Sequence, residues 1–222
     1  MKIDELNPIE LGRQLMKPSG EQGKLVGENM NIANSSIYSN AFKLIKFNDG
    51  ERILEIGFGN GKFISNYFKI NPNIIVFGVD FSDTMCKEAI SLNQKYIDQN
   101  KLVLKCEDAA CTSFDNESFN TIITINTIYF WNSIEKQIEE ISRLLKRGGR
   151  LLIGFRPKSI MKNSSFTSEV FSLFESDDII ELFKKHNFKL IEENAVNISR
   201  KSVDGEDINS IDICLVFENC KN

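Results

Sequence analysis

Sulfur and imidazole ligands are scarce in this chain. It has one histidine, His186, and five cysteines (Cys86, Cys106, Cys111, Cys214, Cys220) with no C-x-x-C pair among them. A zinc centre needs such ligands clustered, so no metal site is expected. Five scattered cysteines make no disulfide framework and point to a reducing compartment, hence a cytoplasmic location. Long apolar runs are missing too: a stretch such as 74–79 falls far short of a bilayer span. The opening, MKIDELNPIELGRQL, is acidic and has no apolar core, so it reads as no signal peptide, and no membrane partner is expected. Nor is there an excess of basic charge. The 27 Lys and Arg face 31 Asp and Glu, a net charge of −4, which argues against a broad nucleic-acid footprint.

What remains is ordinary globular composition, 41% hydrophobic and 26% charged over 222 residues. That length suits a single domain, 1–222, that buries its own core without staples. From residue 50 onward, short β-branched runs alternate with helical patterns. Strands are predicted over 52–56, 74–79, 102–106, 121–125 and 150–155, and helices over 62–69, 83–98, 133–145 and 177–186. Alternation of this kind means parallel strands with crossover helices, an α/β three-layer sandwich. Runs at 188–196 and 211–217 have only the polar, turn-rich SRKSVDGEDINS between them, so they are expected to pair antiparallel. Ser82 or Asp83 is placed to cap the helix after the second strand. Lys146-Arg147-Gly148-Gly149 reads as a helix end, cations in the last turn and glycine beyond.

The most informative segment is RILEIGFGNGKF, residues 52–63. An apolar strand runs into Gly57, Gly59 and Gly61, and a helix follows directly. Glycines there let the backbone turn sharply and approach a ligand, with helix N–H groups exposed. The dinucleotide fingerprint G-x-G-x-x-G would need glycine at position 62, where Lys62 stands. A phosphate loop would need Ser or Thr after Gly61-Lys62, where Phe63 stands. Both phosphate readings fail in detail.

A G-x-G-x-G turn preceded by an acid, Glu55, resembles motif I of the class I methyltransferases, which bind S-adenosylmethionine (SAM). The resemblance runs over residues 50–155. It includes Asp115 to Ile125 as the entry to the fourth strand and Leu144 to Ile153 as a helix–glycine–strand segment. It implies a seven-stranded, mostly parallel sheet in the order 3-2-1-4-5-7-6, last strand antiparallel, with SAM at the carboxyl ends of the strands. It further implies roles. Asp80, closing the second strand, accepts the ribose hydroxyls; Phe81 lines the adenine face; Asp108 and Ala109 read the adenine edge. Asn126 contacts the methionine part, next to the motif residues Glu55, Gly57, Gly59 and Gly61. Each position also has a plain structural reading, Asp80 and Asp108 as loop acids and Phe81 as core.

Methyl transfer from a sulfonium is an in-line displacement in which alignment supplies most of the help, on the order of 7–11 kcal/mol. A base is required only for a poorly acidic acceptor. The lack of a histidine near these motifs therefore does not count against an enzyme, and His186, beside Lys184 and Lys185, suits a helix end. The acceptor pocket is expected beyond the fourth strand, at NTIYFWN, residues 126–132. Tyr129 and Trp131 are the candidate walls, with Tyr129 as a hydroxyl partner. Thr127 and Ile128 stand where nucleic-acid amino-methyltransferases carry two prolines. With the acidic charge, this favours a small-molecule acceptor. Residues 1–48 are read as a lid, Gly20, Gly23 and Gly27 forming a mobile loop before a helix over 32–45 that carries Tyr38. Residues 157–174, with Phe166, Phe171 and Phe174, are read as a substrate-side insertion. Two functions stay open at this point: methyl transfer to a small molecule, or SAM binding without turnover. The oligomeric state is not legible.

Overall fold

In the computed structural model, which describes residues 6–167, 169–201 and 207–221, the five apolar runs become parallel strands. They are β1 (Arg52–Ile56), β2 (Ile75–Asp80), β3 (Leu102–Cys106), β4 (Phe119–Ile125) and β5 (Leu145–Phe155). Two longer strands, β6 (Phe188–Lys201) and β7 (Asp207–Asn219), pair antiparallel with each other, and β7 lies antiparallel against β5. The middle of the polar connection between them, 202–206, lies outside the described residues. The sheet order is β3-β2-β1-β4-β5-β7-β6. The chain thus works outward from β1 through β2 to β3, then crosses back to β4 on the other side of β1. That reversal opens a crevice at the carboxyl ends of β1 and β4.

The strands read as near-continuous apolar runs because helices cover both faces. On one face Leu54, Ile56, Val79, Ile122 and Ile153 pack with Ile138 and Ile141 of α5 (Ile134–Leu144) and Phe183 of α7 (Ser176–Lys185). On the other, Ile53, Val76, Ile123 and Leu152 meet Ile37 and Ala41 of α2 (Gly20–Leu44). Tyr67 of α3 (Ile64–Ile70) and Ala89 of α4 (Asp83–Asp98) complete that side. Ser82 caps α4 by accepting from the Met85 N–H at 3.2 Å.

Three segments differ from their sequence reading. The glycine-rich stretch 20–31 is no loop: α2 is one helix of 25 residues that begins at Gly20. Glycine costs a helix about 0.5–1 kcal/mol against alanine, yet tertiary packing overrides that weak preference. A Cβ on Gly27 would sit 3.0 Å from the Met85 side chain of α4, so the small residue is what lets the helices close. Lys146 to Gly149 do not end a helix. α5 stops at Leu144, with Arg143 as its last-turn cation, and these residues open β5 as a bulge opposite Asn120, with Gly148 at φ +70°. The link 157–174 is partly ordered into α6 (Lys158–Met161) and a 3-10 turn, Ser165–Thr167. A short helix, α1 (Pro8–Met16), precedes α2. Its Gly12 packs on that turn so closely that a Cβ would lie 2.6 Å from the Phe166 carbonyl oxygen.

Candidate functional site

β1 ends in three glycines at positive φ: Gly57 (+74°), Gly59 (+57°) and Gly61 (+73°), a region that side chains seldom adopt. The three serve different ends. A Cβ on Gly57 would strike Thr127 at 2.3 Å and one on Gly61 would meet Ala89 at 2.8 Å, so packing demands glycine at both; Gly57 also lines the cavity at the crevice, whereas Gly61 does not. At Gly59 a Cβ would meet nothing within 4 Å, and here the turn faces open space. That space is a cavity of about 420 Å³ at the crevice, roofed by α1 and the first half of α2.

Asp80 ends β2 at the cavity wall, with 8% of its surface exposed. Its Oδ2 accepts the Gly59 N–H and its Oδ1 the Ser82 N–H, both at 2.9 Å. A carboxylate has about four lone-pair sites, so accepting capacity remains towards the cavity. Burial pushes its pKa up to about 6, against the pull of these main-chain bonds and of Lys17. Phe81, 41% exposed, also lines the cavity, with the Lys17 ammonium 5.2 Å from its ring centre. Asp108 and Ala109 lie on the same wall. Asp108 Oδ1 holds its own turn by accepting the Ala110 N–H at 2.9 Å, and the Ala109 carbonyl accepts from Gln137 at 2.8 Å.

Glu55 does not reach the cavity. Its side chain points from β1 into the face covered by α2, 1% exposed, where Oε1 accepts the Tyr38 hydroxyl at 2.6 Å. Tyr67 stands beside it, in a geometry that leaves its own oxygen and Glu55 Oε2 without a formed hydrogen bond. Burial, aided by the charge of Asp80, raises the Glu55 pKa to about 7; the Tyr38 bond opposes the shift. Tyr38 lines the cavity with its ring, stacked on Phe63 at 3.9 Å between centroids, and burial holds its phenol well above the usual range.

The stretch after β4 divides. Asn126, at φ +54°, and Trp131 line the cavity as expected. Tyr129 does not: it is 3% exposed and packs in the core, against Phe171. Its hydroxyl lies 3.1 Å from the Arg156 carbonyl and 3.2 Å from Asn126 Oδ1, and accepts the Arg156 N–H. Phe130, the next residue of the 3-10 turn, takes the wall position instead. Phe166, Phe171 and Phe174 stay off the cavity; the latter two pack on the core. The sequence reading missed Leu15, Met30, Asn31 and Asn34 from the roof. A signal was there for the last two, since asparagine is a poor interior helix residue and these are one turn apart.

A larger hollow, about 660 Å³, opens at the amino ends of the strands between Asn116, Arg143, His186 and Lys221. Arg143 is spent on Glu140 and Lys221 on Glu117 and main-chain carbonyls, and no glycine turn faces it. His186 is thus remote from the crevice.

A sheet in this order, with a three-glycine turn after β1 and an acid closing β2 over one cavity, defines the Rossmann-like class of SAM-dependent methyltransferases. The chain belongs to the methyltransferase-domain family, whose model matches residues 54–153. An uncharacterised protein of Methanocaldococcus jannaschii is 31% identical over 172 residues, 71% of this chain and 75% of the relative. The tRNA (carboxymethyluridine(34)-5-O)-methyltransferase of Saccharomyces cerevisiae is 32% identical over 103 residues, 45% of this chain but only 33% of that protein. Among solved structures, a SAM-dependent methyltransferase of Methanosarcina mazei superposes with a TM-score of 0.63 at 17% identity, covering 79% of this chain and 95% of that one. The protein is a SAM-dependent methyltransferase.

Proposed function

We propose that this protein transfers the SAM methyl group to a small-molecule acceptor held between the first half of α2 and the residues after β4. The observation that carries the reading is one continuous cavity with two unlike ends. At the ends of β2 and β3 it is walled by Asp80, Phe81, Asp108 and Ala109; at the end of β4 by carboxamides and aromatic rings. The first end suits the nucleoside. There the Asp80 carboxylate accepts the ribose hydroxyls, Phe81 covers the adenine, and Asp108 and the Ala109 N–H read its edge. The open face of Gly59 and Asn126 receive the methionine part between the two ends. SAM brings a methyl already activated by a sulfonium, so the chain's task is to align the acceptor and exclude water.

The exclusion of water falls to the roof. The chain works as one domain in which α1 and the first half of α2 form a lid and residues 157–174 buttress it from outside. Gly20, at φ +62°, is the turn between the two helices. That turn is pinned beside the ribose acid: Ser82 donates to the Pro18 carbonyl, and the Gly20 N–H donates to Thr84 at 3.1 Å. Ligand at Asp80 and the position of the lid are therefore mechanically linked.

The net charge of −4 and the acidic wall fit a small acceptor better than a polynucleotide, although one relative acts on tRNA. The test is incubation with methyl-labelled SAM and a fractionated cell extract. Label in the low-molecular-mass fraction, resistant to nuclease and protease, is the expected result. Label that nuclease releases from RNA would overturn the small-molecule reading.

A further inference from the structure

At the end beside β4 the cavity is lined by Met30, Asn31, Asn34, Asn126, Phe130 and Trp131, among which there is no carboxylate, imidazole or amine; Lys136 and Cys111 line it further along the wall. The acids of the wall, Asp80, Glu107 and Asp108, all belong to the ends of β2 and β3. Tyr38 lines the cavity between the two ends, and its proton is committed to Glu55.

Two carboxamides at this end are paired: Asn126 places Oδ1 3.2 Å from the Tyr129 hydroxyl, and its amino group donates to Asn34 Oδ1 at 2.9 Å. With Oδ1 engaged, the part of Asn34 left for a ligand is its amino group, a hydrogen-bond donor. The backbone that carries Asn34 is held on both sides. Its neighbour Ala33 is held through its carbonyl by the Arg156 guanidinium at 2.6 Å, and Ser36, two residues on, donates to Asp212. Asn31, one turn earlier, lines the same end.

Resting on the methyl-transfer reading, we propose that the acceptor presents a carboxylate, gripped by the amino groups of Asn34 and Asn31, and leaves as a methyl ester. The balance closes without a base. A carboxylate oxygen attacks the methyl carbon, the carbon–sulfur bond breaks, and its electron pair stays on sulfur. One negative and one positive charge are cancelled, the products are the ester and S-adenosylhomocysteine, and no proton moves. Carboxamide donors orient such an anion without neutralising it by proton transfer, and the flanking Phe130 and Trp131 keep water from competing.

Two measurements test this. In the labelled-extract assay, the product is treated with mild alkali: an ester releases volatile labelled methanol, whereas N-, C- and ether-bound methyl groups stay attached. Alkali-labile label is expected, and alkali-stable label overturns the carboxylate assignment while leaving methyl transfer standing. If no fraction is labelled, the methyl-transfer reading fails and this one with it. The second measurement uses Asn34→Asp, which keeps the oxygen that Asn126 requires and replaces the donor by a like charge. Labelling should fall at least 100-fold while calorimetric affinity for S-adenosylhomocysteine stays within about threefold. Labelling that is unchanged or enhanced would mean that the acceptor is neutral or cationic and would overturn the proposal.

Discussion

At the scale of single residues, Asp80 and Glu55 are two buried acids with different duties. Asp80 has accepting capacity towards the cavity, and hydrogen bonds from neutral hydroxyls to a carboxylate contribute about 1.5–3 kcal/mol in all once desolvation is counted. Asp80→Ala is therefore expected to weaken S-adenosylhomocysteine binding by roughly 10- to 150-fold, read by titration calorimetry on a variant shown to be folded. An unchanged Kd would displace the ribose from this wall. Both acids also make stability fall with rising pH. Burial lifts Glu55 from 4.5 to about 7 and Asp80 from 3.8 to about 6, so the fold retains protons that the unfolded chain has already released. Their contribution is fully present below the unfolded values and is lost as pH rises through 6 and 7. The unliganded protein should melt at a lower temperature at pH 8 than at pH 5.5. Glu55→Gln, which still accepts from Tyr38, should flatten that slope and raise the pH 8 melting point by several degrees. A slope unaltered in Glu55→Gln would show that this carboxyl does not control it.

At the scale of elements, the long helix α2 does two jobs along its length. Its second half is locked to the sheet by Ser36, Tyr38 and Asn40, which bond Asp212, Glu55 and Cys214. Its first half is seated by Gly23, Val26 and Gly27 and by the Gly20 bond to Thr84, and it forms the roof. The lock centres on the buried pair of Arg156 at the end of β5 and Asp212 of β7, 3.0 Å apart. Removing one partner of such a pair strands the other charge, at a cost of about 3–5 kcal/mol. Arg156→Ala should lose that much in denaturant unfolding and should speed hydrogen exchange through the second half of α2. A loss below about 1 kcal/mol would mean that the pair does not anchor the helix. The element-level errors of the sequence reading share one cause. Gly23, Gly27 and Gly148-Gly149 were weighed by local preference, whereas contacts with Pro18, Met85 and Asn120, distant in sequence or across a turn, set their conformation.

At the scale of the whole molecule, a ligand that binds only the folded chain stabilises it by mass action. S-adenosylhomocysteine at about 100 times its Kd should contribute about 2.7 kcal/mol, which is roughly 5–11 °C in melting temperature for a chain of this size. NAD should shift nothing, because the third glycine falls one residue early for a dinucleotide; stabilisation by NAD alone would refute the SAM site. The alternation of strands and helices was legible because hydrophobic period is local, whereas the strand order came from the resemblance carried by the glycine turn and the segments after it. The same resemblance pointed to Asp80, Phe81, Asp108 and Asn126, which stand at or within two residues of strand ends and line the cavity. Depth and direction were not legible. Glu55 and Tyr129 sit beside true lining residues in the chain, yet strand alternation and the 3-10 turn send their side chains into the core. Asn31 and Asn34 come to the cavity only because α2 crosses the crevice, nearly a hundred residues before Asn126, the residue that Asn34 touches. Hydrophobic period by itself thus determined the alternating strands and helices, and the glycine turn with the acids after it carried the resemblance to a methyltransferase sheet. Which side chains face the cavity, and which way their donors point, depended on packing between distant segments, because burial and hydrogen-bond polarity are properties of neighbours in space.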